Sequence, residues 1–99
     1  MTFLRGAAPV RLQGRLICAG EAEAALVRAA LPEHIRLSRA EPGCLHFEVT
    51  PTDDPLVWQV KEVFTDAAAF SAHQARSEAT PWAEAAKGVG GEFEVTGLD

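Results

Sequence analysis

The chain has 99 residues, of which 47% are apolar and 23% charged, and its 14 acidic and nine basic side chains leave a net charge of −5. That length supports one modest core, and the balance excludes both a disordered polar chain and a membrane protein. With no basic cluster to neutralise phosphates, nucleic acid and anionic membrane surfaces are excluded as partners.

The first nine residues, with Pro9 among small neighbours, read as a flexible N-terminal arm. They carry no apolar stretch behind a basic start, and two cysteines fit reduced thiols, so the expected location is cytoplasmic. A single domain is expected over residues 10–96. From Val10 to Ala19 apolar and polar residues alternate, which predicts a first strand. Glu21 and Glu23 then stand in the first turn of an alanine-rich helix reaching Arg39, with Pro32 expected to kink or divide it near Leu31. Glu41-Pro42-Gly43 is turn chemistry. Cys44–Thr50 alternates again, Pro51–Pro55 is a hairpin-type turn, and Leu56–Phe64 is the third strand. Asp66 is placed to cap a helix over Ala67–Arg76. Thr80 as cap, Pro81 at the first helical position and Gly88 beyond the end frame a short third helix. Gly91–Thr96 is the last strand. The order is that of an α+β ferredoxin-like βαββαβ sandwich, with a four-stranded antiparallel sheet covered on one face by helices.

Alternation assigns Leu12, Leu16, Leu45, Phe47, Val49, Trp58, Val60, Phe64, Phe93 and Val95 to the helix side of the sheet. Arg11, Gln13, Arg15, His46, Glu48, Gln59, Lys61, Glu92 and Glu94 fall on the other side, polar and close to charge-balanced. Glu62 breaks the pattern, because it shares parity with Trp58, Val60 and Phe64 and points a carboxylate into the apolar layer, where desolvation is costly. On the second helix, Phe70, His73 and Ser77 share a face, so an imidazole converges on the same layer. A buried polar pair and an acid/base pair lining a pocket both fit this arrangement. No phosphate loop, Cys-x-x-Cys or G-x-S-x-G is present. His34 and His46 are expected to point to different places, so no metal site is predicted.

The segment Ser38–Leu45 with its Glu41-Pro42-Gly43-Cys44 turn, followed by Phe47, Glu62–Asp66 and Ala69–His73, resembles the antibiotic biosynthesis monooxygenase (ABM) family, in its quinol-monooxygenase-like branch. The resemblance runs from about Val10 to Val95. It implies a homodimer in which two sheets pack as a dimeric α/β-barrel, with a pocket in each protomer between sheet and helices. It also implies oxygen chemistry without metal, flavin or haem, on an electron-rich aromatic such as a quinol or polyphenol that reacts with dioxygen once deprotonated. On that reading His73 is the base, Glu62 orients it, and Phe47, Trp58, Phe64, Phe70 and Trp82 supply the walls. Where antibiotic-pathway members carry an Asn and a Trp on the third strand and a Tyr on the second helix, this chain has Val60, Phe64 and Phe70. Where haem-degrading members carry a strand Asn, a strand Trp and a helical His, it has Gly14, Phe64 and a position near Ala83, so haem ligation is not expected. Two alternatives keep the same fold: an isomerase that moves a proton without oxygen, and a non-enzymatic small-molecule-binding dimer.

Overall fold

The computed structural model describes residues 8–98, so the arm expected over residues 1–9 lies, apart from Ala8 and Pro9, outside the described residues. The elements follow as β1 (Val10–Ile17), α1 (Glu21–Arg39), β2 (Cys44–Pro51), β3 (Val57–Phe64), α2 (Ala67–Glu78), α3 (Pro81–Ala86) and β4 (Gly90–Thr96). The four strands form one antiparallel sheet in the order β2-β3-β1-β4. This is the expected ferredoxin-like arrangement, and among the described residues no helix is long and apolar enough to cross a membrane.

Local chemistry explains most of the boundaries. The Asp66 carboxylate accepts from the Ala69 amide at 2.8 Å and so starts α2. Thr80 behaves differently from the expected cap: its hydroxyl donates back to the Ser77 carbonyl at 2.8 Å and leaves the first turn of α3 without a side-chain acceptor. Gly88 takes φ +84°, a conformation that ends α3 and that side chains disfavour. Thr52 and Asp54 tie the β2–β3 hairpin through bonds to Val57 and Leu56. α1 runs unbroken through Pro32. The missing donor removes one backbone bond, but Leu31 and His34 on either side are buried against the sheet, and that packing holds the helix together.

The core lies between the sheet and the helices, around Val10, Val27, Phe47, Trp58, Val60 and Phe64. α1 contributes Ala24, Val27, Leu31, His34 and Ser38, a stripe at helical spacing. Three residues assigned to this side by alternation are exposed instead. A bulge between Cys44 and His46 leaves Leu45 without a partner on β3, and it turns to solvent, 60% exposed. Phe93 and Val95 keep the expected parity, but β4 is an edge strand that the helices do not cover, and both remain open.

Candidate active site

Four elements bring the polar groups of the apolar layer together. β3 supplies Glu62, which pairs across the sheet with Leu12 on one side and Phe47 on the other. α2 supplies His73, packed against Phe47 and Phe64 with ring centroids 5.4 and 4.9 Å away. α1 supplies His34, and α3 supplies Trp82, whose indole stacks on the His34 ring at 4.4 Å and 9°. Between them lies a cavity of about 240 Å³, walled by apolar groups such as Leu12, Leu16, Phe47 and Trp82 and bearing His34, Glu62, His73, Gln74 and Ser77 as polar points.

The expected pair is present but not in direct contact. His73 Nε2 lies 3.7 Å from Glu62 Oε1, beyond hydrogen-bond length. The nearer carboxylate is Glu41, in the turn after α1, whose Oε1 accepts from His73 Nδ1 at 2.8 Å. Arg76 Nε donates to the other Glu41 oxygen at 2.9 Å, and Arg76 Nη2 donates to the buried Ser38 hydroxyl at 2.9 Å. Ser77 Oγ stands 3.5 Å from His73 Nε2. The two sides of the imidazole therefore differ. Nδ1 faces Glu41, which is not part of the cavity wall, and Nε2 faces Glu62 and Ser77, which are.

Burial sets the charge states. Glu62 is 8% exposed, and among the described residues no hydrogen bond reaches its carboxyl. Desolvation, reinforced by the charge of Glu41, pushes its pKa up to about 7. His73 is 3% exposed, and desolvation lowers its pKa against the opposing pull of the Glu41 hydrogen bond and charge. It is neutral at pH 7. His34 is pushed down to about 3 by burial, with repulsion from His73, once that ring is protonated in acid, and from Arg76 adding to the effect. The site at neutral pH thus holds two neutral imidazoles and a carboxyl poised between its two states.

Of the side chains predicted to form the site, Glu62, His73, Phe47 and Trp82 line the cavity. Trp58, Phe64 and Phe70 lie in the core beside it, and Phe64 touches the site by packing on His73. His46 is exposed on the far side of β2, paired with Glu48, whereas His34 stands 5.8 Å from His73 between ring centroids. Sequence reasoning passed over His34, Glu41 and Arg76. The signal for His34 was its place in the stripe Val27, Leu31, His34 and Ser38; for Arg76 it was the three-residue step from His73 on one helix face. Among the described residues no group of three His, Cys, Asp or Glu side chains is arranged to hold a metal ion.

The chain matches the model of the antibiotic biosynthesis monooxygenase family over residues 9–85. A comparison with curated proteins finds no match. Among solved structures, SnoaB from Streptomyces nogalater, a cofactor-independent oxygenase, superposes with a TM-score of 0.74 at 19% identity, covering 94% of this chain and 95% of that one. A proposed antibiotic biosynthesis monooxygenase from Deinococcus radiodurans gives 0.73 at 23% identity, with 91% and 92% covered. MupZ from Pseudomonas fluorescens gives 0.70 at 20% identity, with 98% and 73% covered. At these identities the likeness to the solved structures is one of fold. The family match over most of its length shows that the chain belongs to the antibiotic biosynthesis monooxygenase family.

Proposed function

We propose that the protein is a cofactor-independent monooxygenase acting on an electron-rich, quinol-like or polyphenolic aromatic. The observation that supports it is a neutral His73 whose Nε2 faces an apolar cavity, beside a carboxyl that keeps its proton to about pH 7. At about 30 Å³ per water, the cavity of about 240 Å³ has the room of roughly eight waters, which suits one or two fused rings. Trp82 and Phe47 offer aromatic surface to the substrate, and the apolar walls exclude bulk water from the anion that forms. The proton of an acidic O–H or C–H passes to His73 Nε2. The resulting anion gives an electron to dioxygen, a C–O bond forms, and the hydroperoxide loses water to leave a carbonyl. One oxygen atom stays in the product, and the other leaves as water with the two substrate hydrogens. Glu62, still carrying its proton near neutrality, is placed to protonate the departing hydroxide.

Oxygen uptake with hydroquinones, dihydroxynaphthalenes and anthrones tests this reading. The active substrate is expected to be consumed about 10²–10⁴ times faster by the wild type than by His73→Ala, the range for loss of a general base. Activity should rise with pH through one ionisation below 6.5, the ordinary histidine value, because burial lowers that of His73. If no substrate takes up oxygen faster with wild type than with His73→Ala, the monooxygenase reading falls. Turnover that persists without oxygen assigns the site to isomerisation instead.

The same reading includes a homodimer. Phe93 is 47% exposed on the uncovered edge strand, an aromatic surface left over for a second copy. Arg11 and Lys61 on the outer face of the sheet stand ready to meet acidic residues of a two-fold mate such as Glu94, whereas Arg15 already pairs with Glu92 in its own chain. Sedimentation equilibrium at low micromolar concentration should find twice the chain mass, and a single species near 10.6 kDa would rule the dimer out. The two free thiols support a cytoplasmic location.

A further inference from the structure

We infer that Glu41, anchored by Arg76, is the positioning residue that holds His73 as the Nδ1–H tautomer and so keeps the Nε2 lone pair turned to the cavity. The inference builds on His73 as the base, but its test does not depend on turnover. A neutral imidazole carries one proton on two nitrogens, and only the bare nitrogen can accept another. Glu41 Oε1, 2.8 Å from Nδ1, is an acceptor with nothing to donate, so the ring proton must sit on Nδ1. On the opposite side Ser77 Oγ and the Glu62 carboxyl stand 3.5 and 3.7 Å from Nε2, too far to hold a proton there against the shorter bond.

Arg76 makes this geometry directional. Its Nε occupies Glu41 Oε2 and its Nη2 reaches Ser38, so the carboxylate is clamped between a cation and the imidazole with one oxygen for each. The clamp spans three elements: Ser38 at the end of α1, Glu41 in the turn that follows it, and His73 with Arg76 on α2. None of the three partners lines the cavity, so their contact with the reaction is through the ring of His73, beside the smaller effect of the Glu41 charge on Glu62.

The substitution Glu41→Gln replaces one oxygen by an NH₂ of nearly the same shape. Arg76 can only donate, so it takes the single remaining oxygen, and the amide NH₂ is left facing Nδ1 as a donor. The ring must then move its proton to Nε2, and the base is lost although no residue lining the cavity has been replaced. The same logic of a wrong tautomer after an acid-to-amide change is known for a serine protease triad.

The experiment is nitrogen-detected NMR of the ¹⁵N-histidine-labelled full chain at pH 7, which separates protonated from bare ring nitrogens at His73. Wild type is expected to show Nδ1–H with a bare Nε2, and Glu41→Gln to show Nε2–H, with oxygen uptake on any active substrate reduced about 10²–10⁴-fold. In the double variant Glu41→Gln/Arg76→Met the amide oxygen is free to turn to His73, and the Nδ1–H form should return. An Nε2–H tautomer in wild type overturns the inference even if no variant folds, and so does an Nδ1–H form that persists in Glu41→Gln. If the tautomers behave as expected and no aromatic substrate consumes oxygen, the positioning role stands and the monooxygenase reading fails.

Discussion

Acidification from pH 7 to pH 4 is expected to destabilise the native state by about 3 kcal/mol through His34 alone, at roughly 1.4 kcal/mol for each pH unit below the ordinary histidine value. In the unfolded chain His34 titrates near 6.5, and in the folded chain near 3, because the ring is buried under Trp82 with His73 and Arg76 close by. Between those values the unfolded state binds the extra proton, so stability rises with pH across the window and is lost as pH falls through it. His73, whose value is also lowered, adds to the loss in the same direction. The variant His34→Phe keeps an aromatic ring to stack on Trp82 and has no proton to bind. Urea unfolding of the two proteins at several pH values should therefore give curves that diverge below about pH 6.5, the wild type falling more steeply by one proton's worth. Parallel curves from pH 6.5 to pH 4 would show that His34 does not remain neutral in the folded state.

His34 also shows where sequence reasoning stops. Strand alternation sorted the two faces of the sheet correctly for Phe47, Val49, Trp58, Val60 and Phe64, all buried on the helix side. It failed at Leu45, because a bulge is an insertion into the pairing register and leaves no mark in the residue pattern. It failed differently at Phe93 and Val95, where parity gives the face but not how far the helices extend across the sheet. Glu62 and His73 were legible because each is a polar residue on an apolar face. Their environment was not, because the distance between a strand and a helix depends on how the layers dock, and docking placed Glu41 nearer to His73 than Glu62. For the same reason the aromatic residues could be assigned to the layer but not divided between cavity wall and core. Phe47 and Trp82 fell on one side of that division, and Trp58, Phe64 and Phe70 on the other.

The substitution Glu62→Gln is expected to stabilise the protein at pH 8 by about 3 kcal/mol, an advantage that disappears by pH 4.5. The folded-state pKa of Glu62 is raised from 4.5 to about 7, chiefly because the carboxyl is buried without a hydrogen-bond donor and secondarily because Glu41 is negative. Within that interval the folded state binds the extra proton, so the favourable contribution is fully present below 4.5 and is lost as pH rises through about 7. Above it the wild type carries an ionised carboxylate in an apolar layer, and the neutral amide of nearly equal volume does not. Thermal or urea unfolding of both proteins from pH 4.5 to pH 8 measures the difference directly. A variant less stable than wild type at pH 8 would mean that the carboxylate is held by partners and belongs to the framework of the fold. The expected gain has the opposite meaning, since a side chain whose ionised form opposes folding is kept for something other than stability, as residues that serve chemistry often are. His73 supports the contrast, because its hydrogen bond to Glu41 is independent of Glu62. Glu62→Gln should thus leave the His73 tautomer unchanged while slowing the protonation of the departing hydroxide, so that a more stable protein turns over more slowly.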